Sequence, residues 1–314
     1  MKTFPRFAGV MSLFALAALS QAQTRPSWAF LVPDKQQPAV REEAGPVHVP
    51  GSSKTYTAAE IENLAHPPDW FPEDHGEVPK VVAGAPGSKA LACGSCHLMA
   101  GQGHPESADL AGMPVEYLVR QMADFKAGKR IDPARMNAIA KVTSEEDARA
   151  AAEWFASLKP KVWVKVMESN TVPKSYVSTK GRMRLPDPAG GTEPLGNRII
   201  ELPQDAALAQ SRDSHSGFVA YVPSGSIAKG KRLVATGGGG RTIQCNICHG
   251  DDLRGLGDVP RIAGLHPIYI ARQLYNFKGD EYTGSSSALM KKVVARLTND
   301  DILNIAAYAA SLEP

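Results

Sequence analysis

All four cysteines of this 314-residue chain fall in two copies of one five-residue pattern, Cys93-Gly-Ser-Cys96-His97 and Cys245-Asn-Ile-Cys248-His249. A disulfide framework has no use for a histidine directly after each second cysteine, so the placement asks for a chemical reason. A zinc site would need four converging ligands, yet the two pairs lie 152 residues apart and each has its own histidine. A dithiol oxidoreductase opens a helix with Cys-x-x-Cys inside a thioredoxin-like α/β pattern, which this sequence lacks. Covalent c-type haem uses every part of the motif. In a helical turn residues i and i+3 project to nearly the same side, so both sulfurs can reach the vinyl groups of one porphyrin, and the next residue aims its imidazole at the iron.

Sliding the chain against itself by 152 residues aligns more than the cysteines, as a tandem duplication should. Gly103 falls on Gly255, Leu110-Ala111-Gly112 on Ile262-Ala263-Gly264, and YLVRQMADFK from Tyr117 on YIARQLYNFK from Tyr269. After a two-residue insertion, EDARAAAEWFASL ending at Leu158 meets DDILNIAAYAASL ending at Leu312. Each copy therefore reads as an attachment helix, a Gly-rich loop, an amphipathic helix, a Met-bearing loop and a final helix. The final helices carry capping signatures, Thr143-x-x-Glu146 and Thr298-x-x-Asp301. In the second copy Ile302, Ile305, Ala306 and Ala309 follow at helical spacing.

This order resembles the class I cytochromes c, and the doubled form with "LAG…Y…RQ…F" resembles the dihaem cytochromes c4 and c553-type proteins. The resemblance covers about residues 81–160 and 225–314. It implies a mainly α fold, two tandem class I cytochrome c helical domains joined by a small β-rich connector, and two covalently bound haem c groups. The haem-binding cysteines would be Cys93, Cys96, Cys245 and Cys248, and the proximal ligands His97 and His249. In the family a methionine before the last helix closes the far side of the iron. Met290 is the only methionine after Cys245, and Met136 is its counterpart in the first copy. Met99, two residues past His97, cannot reach the opposite face of the ring, and Met122 sits in the amphipathic helix where the repeat has Leu274. In the family a proline before "LAG" lends its carbonyl to the proximal imidazole. Pro260 fits, while the first copy has Ala108 there.

His/Met coordination leaves no vacant position for a substrate, which favours one-electron transfer over catalysis. The rival readings are a dihaem enzyme, peroxidase-like or a dehydrogenase, with one substrate-accessible haem, and the cytochrome subunit of a larger oxidoreductase. His104 and His266 are not reproduced in the opposite copy and read as surface-loop histidines. Arg120 and Arg272 recur on the amphipathic helix, where haem propionates, a solvated face or an interdomain salt bridge are all open readings.

The remainder of the chain divides by composition. Residues 1–22 read as a cleavable export signal: Lys2 and Arg6 precede the apolar stretch Phe7 to Leu19, followed by small residues up to Ala22. Cleavage there takes the formal charge from +3 to about +1, and a near-neutral chain is no nucleic-acid binder by composition. Residues 23–80 form an N-terminal extension in which Thr57-x-x-Glu60 suggests a short helix and Trp70 and Phe71 read as packing anchors; His66, Asp74 and His75 read as a proline-rich surface segment rather than a metal site. Residues 161–224 form the connector, with β-formers in VWVKVME, NRIIELP and GFVAYVP. No apolar run is long enough to span a bilayer. The expectation is a periplasmic protein with redox protein partners, no nucleic acid and no transmembrane segment in the mature chain. Peripheral association with a membrane complex is compatible with it.

Overall fold

The computed structural model describes residues 25–38, 45–87, 90–132 and 134–314; the stretch read as an export signal lies outside them. Among the described residues no helix is long and apolar enough to cross a membrane. The chain starts with α1 (Ala58–Ile61), closed by a capping box: Thr57 Oγ1 accepts from Glu60 N at 3.3 Å and Glu60 Oε2 accepts from Thr57 N at 2.7 Å. Then come α2 (Lys80–Ala83), α3 (Gly94–His97), α4 (Val115–Lys126), α5 (Met136–Val142) and α6 (Glu145–Ser157). Leu118, Gln121 and Phe125 bury one face of α4, the spacing a 3.6-residue period demands.

The cap of α6 differs from the sequence expectation. Ser144, not Thr143, is the N-cap and accepts from Asp147 N at 3.0 Å, while Thr143 closes α5 and donates to Ile139 O at 2.8 Å. Ser144-x-x-Asp147 offers the same chemistry one residue later, and the short α5 occupies the earlier position.

After α6 the backbone turns to strands: β1 (Val164–Glu168), β2 (Thr171–Pro173), β3 (Ser175–Val177), β4 (Arg184–Pro186), β5 (Thr192–Pro194), β6 (Ile200–Pro203), then α7 (Ala206–Gln210) and β7 (Phe218–Val222). β7 lies in the middle of a three-stranded sheet, parallel to β1 and antiparallel to β6, while β2 pairs with β5 and β3 with β4. Phe218, Ala220 and Val222 alternate into the interior along β7. The sheet is tied to the first repeat by Trp163, whose indole N–H donates to Gly103 O at 3.3 Å.

The second repeat supplies α8 (Ser226–Thr236), α9 (Asn246–His249), α10 (Pro267–Lys278), α11 (Ser287–Val294) and α12 (Asn299–Ala310). Thr298 caps α12 in a full capping box with Asp301. Ile302, Ile305, Ala306 and Ala309 are all buried there. α8 crosses α12 at Gly230, where a Cβ would strike the Asn304 carbonyl; only glycine lets the backbones approach so closely.

The N-terminal segment straps these parts together. Ala29 O accepts from Arg272 Nε at 2.9 Å, Arg25 pairs with Glu281, and the Asp34 carboxylate accepts from Val177 N at 2.9 Å. Trp70 and Phe71 are buried with Val49 and Ile61, and the Trp70 indole donates to Ser211 O at 2.7 Å.

The two repeats meet through counterpart residues, the mark of a two-fold, self-complementary contact built inside one chain. Ile131 N donates to Glu281 O at 2.8 Å, and reciprocally Thr283 N donates to Lys129 O at 2.6 Å. Between them Arg130 and Tyr282, themselves counterparts, form a β-bridge on the pseudo-axis. Arg120 donates to Asp258 O at 3.3 Å, while Arg272 pairs with Glu106 at 2.7 Å. The recurring arginines thus make inter-repeat contacts. Nearest the attachment loops, Asp109 and Arg261 occupy the same position of the repeat with opposite charges and form an ion pair at 2.7 Å, their side chains only 2% and 3% exposed.

Candidate haem sites

The attachment turn has the same construction in both copies. α3 and α9 are single helical turns starting directly after Cys93 and Cys245 and ending on His97 and His249, so each cysteine pair and its histidine share one turn. The chain leaves each turn through a glycine that hydrogen-bonds back: Gly103 N donates to His97 O at 3.1 Å and Gly255 N to His249 O at 2.7 Å. Both glycines have positive φ, +63° and +94°, and a Cβ on either would crowd the following loop, 2.6 Å from Ala108 O or 2.7 Å from Val259 O. The loop then folds on itself through matched bridges, His104 with Ser107 and Leu256 with Val259.

This folding delivers a main-chain carbonyl to each imidazole. His97 Nδ1 donates to Ala108 O at 2.7 Å and His249 Nδ1 to Pro260 O at 2.8 Å. Alanine in place of proline does not disturb the contact, because the acceptor is backbone. With the proton committed to Nδ1, the lone pair of each ring is on Nε2, the nitrogen left for a metal. Burial holds both imidazoles below the usual histidine range, the carbonyls acting weakly the other way, so both rings are neutral and ready to ligate.

None of the four cysteines is disulfide-bonded. Burial pushes the Cys93 thiol up to about 12 and the Cys245 thiol up to about 11. Such thiols do not suit a reactive dithiol, which depends on a depressed pKa. Among the described residues no group of three or more histidine, cysteine or acidic side chains is placed to hold a metal ion, so the two cysteine pairs do not converge on zinc. His66, Asp74 and His75 do not converge either: His75 faces Asp69, and Asp74 faces His215 and Lys161.

Met136 opens α5, and its amide donates to the Asp132 carboxylate at 2.7 Å. Asp132, which holds the Met136 amide, weakly favours the charged form of the His97 imidazole. Met290 lies within α11, half-buried against the main core. Thr242 Oγ1 donates to Val293 O at 2.8 Å, which fastens α11 beside the second attachment turn. Met99 and Met113 are buried core residues.

Two histidines correct the sequence reading. His266 is no surface residue: it is 1% exposed, and its Nδ1 meets the equally buried Glu201 of β6. His104 is partly buried. Its Nδ1 accepts from Glu106 N at 3.3 Å, and burial takes its imidazole down to about 3, so it is neutral. Only Glu201, distant in sequence and on a connector strand, explains a buried His266, and the loop itself carries no signal of it.

A twice-built turn that presents two thiols and an oriented, neutral imidazole is the work of a protein that carries haem through thioethers. No family model matches the chain. It is 26% identical over 234 residues to cytochrome c4 of Pseudomonas aeruginosa, covering 73% of this chain and 88% of that protein. It is also 26% identical over 238 residues to the thiosulfate dehydrogenase electron acceptor of Thiomonas intermedia, covering 74% and 83%. Cytochrome c-554(547) of Halothiobacillus neapolitanus is 35% identical over 98 residues, 29% of this chain and all of that protein. The chain belongs to the class I c-type cytochromes, in their dihaem form, and carries two covalently bound haem c groups.

Proposed function

We propose that the chain is an exported, periplasmic electron carrier. Cys93, Cys96, His97 and Met136 would hold one haem, and Cys245, Cys248, His249 and Met290 the other. The observation that carries this reading is the matched pair of Nδ1-to-carbonyl hydrogen bonds, from His97 to Ala108 and from His249 to Pro260. The haem domains are residues 81–160 and 225–314, preceded by an extension over 23–80 and joined by a β-rich connector over 161–224.

The donor set fits the group. When bound, each haem supplies a one-electron couple at its iron, and thioether ligation favours the reduced form. The chain's own part is to fix both imidazoles through backbone acceptors, and Met136 and Met290 would each add a thioether donor that denies the iron to small substrates. The partners are redox proteins. Similarity to a protein named as a thiosulfate dehydrogenase electron acceptor supports a dehydrogenase on the donor side.

Absorption spectroscopy tests the carrier reading. Two low-spin haems with methionine-to-iron charge-transfer absorption, unresponsive to peroxide, are expected. A high-spin component that reacts with peroxide or binds cyanide readily would assign one site to catalysis instead.

A further inference from the structure

The connector places a cation against the first attachment turn. Arg212, directly after α7 and its C-cap Ser211, donates to Ser95 O and to Ile61 O, the latter at 2.9 Å. Ser95 is the residue before Cys96 and is only 2% exposed. The backbone at Arg212 has a φ of +62°, a left-handed conformation that costs a residue with a side chain energy and persists where the surroundings fix it. Two bonds to α7 do so here, Arg212 N to Ala209 O at 3.1 Å and Asp213 N to Leu208 O at 3.0 Å. Strain accepted in order to aim a guanidinium at one carbonyl points to a use for the charge. Among the described residues no carboxylate lies within ion-pair distance of Arg212, and Glu62, which favours its charged form, is itself paired with Lys180 at 3.3 Å. Burial draws the guanidinium below the usual arginine range, yet an arginine stays protonated at any working pH.

The second attachment turn lacks this cation. The counterpart of Ser95 there is Ile247, 60% exposed, and among the described residues no side chain donates to a carbonyl of α9. Cys96 is half-buried, whereas Cys248 is exposed. Just past the proximal histidines the copies differ in the same sense. The first has Met99 and Ala100, both buried, where the second has Asp251 and Asp252, both exposed. The next cation along the chain, Arg254, is exposed and pairs with Glu313 at 3.8 Å. Before the methionines, Arg135 in the first copy answers to Leu289 in the second.

A ferric haem carries one more positive charge than a ferrous one. A fixed cation at the attachment turn, fewer carboxylates and deeper burial therefore all favour the electron at the first site. We propose that Arg212 is a potential-setting residue that makes the first-repeat haem the higher-potential site, so that a half-reduced chain holds its electron there. The proposal rests on the haem reading above. An electron that enters at the second site then moves downhill to the first.

Redox titration of the holoprotein tests this. Two one-electron waves are expected in the wild type. Arg212→Met should lower the upper wave, reducing that haem's reduction equilibrium constant about three- to tenfold, and leave the lower wave in place. Arg212→Lys keeps the charge without the planar fork and should lie closer to wild type than to Arg212→Met. Met290→Ala acts on the second haem and should move the lower wave. If Arg212→Met fails to mature, Arg212→Gln, which keeps a donor for Ser95 O but no charge, must lower the upper wave in its place. Coincident wild-type waves, an upper wave indifferent to the loss of the Arg212 charge, an upper wave that answers to Met290→Ala, or a lysine variant that falls as far as the methionine variant would each overturn the proposal. A wild-type chain without haem would defeat the carrier reading itself, whereas a haem-replete chain with any of those results defeats the role of Arg212 alone.

Discussion

Replacing Asp109 with alanine is expected to destabilise the folded protein by about 3–5 kcal/mol, because it strands the buried Arg261 guanidinium without its carboxylate. Arg261 would keep the Ala111 carbonyl, at 3.3 and 3.2 Å, and the Ala263 carbonyl at 2.8 Å, but no negative charge. Burial pushes the Asp109 carboxyl above the usual carboxylate range, and Arg261 only partly offsets it. It also joins the loops that orient both proximal histidines: Asp109 follows Ala108 and Arg261 follows Pro260. Removing both charges in Asp109→Ala/Arg261→Met should recover most of the loss, since the penalty belongs to the uncompensated charge. Denaturant unfolding of the holoprotein measures both variants. A single variant costing under about 1 kcal/mol would show that the pair is solvated in solution.

Met290→Ala should convert one of the two haems from low-spin to high-spin and lower its midpoint potential, since the thioether that favours ferrous iron is gone. Attachment through Cys245 and Cys248 should survive, and so should the haem in the first repeat. Absorption spectra and a redox titration read both effects. An unchanged spectrum would mean that another group closes the second site. Met136→Ala should do the same to the first haem, with Asp132 still holding the start of α5 through its bonds to the amides of residues 135 and 136.

What the sequence makes legible here is what local chemistry governs. The cysteine–histidine spacing needs only one helical turn, and α3 and α9 are such turns. The Thr298 and Thr57 boxes were readable because a capping box is closed within four residues. Thr143 misled because Ser144 offers the same chemistry one position on. Ala108 looked like a departure from the proline pattern, yet a backbone carbonyl does not depend on its side chain. Long-range pairing was not legible. His266 reads as a loop histidine until β6 brings Glu201 to it, and the parallel register of β1 on β7 needs the whole intervening connector. The Asp109–Arg261 pair did leave a trace, opposite charges at one position of the repeat, but its meaning required the pseudo-two-fold contact that Arg130 and Tyr282 mark.

A pyridine haemochrome assay per purified chain, with mass mapping of the haem-bearing peptides, bears most directly on the central claim. Two haems per chain are expected, one on the peptide holding Cys93 and Cys96 and one on that holding Cys245 and Cys248. A colourless chain, a single haem, or cysteines recovered as free thiols or zinc ligands would contradict it.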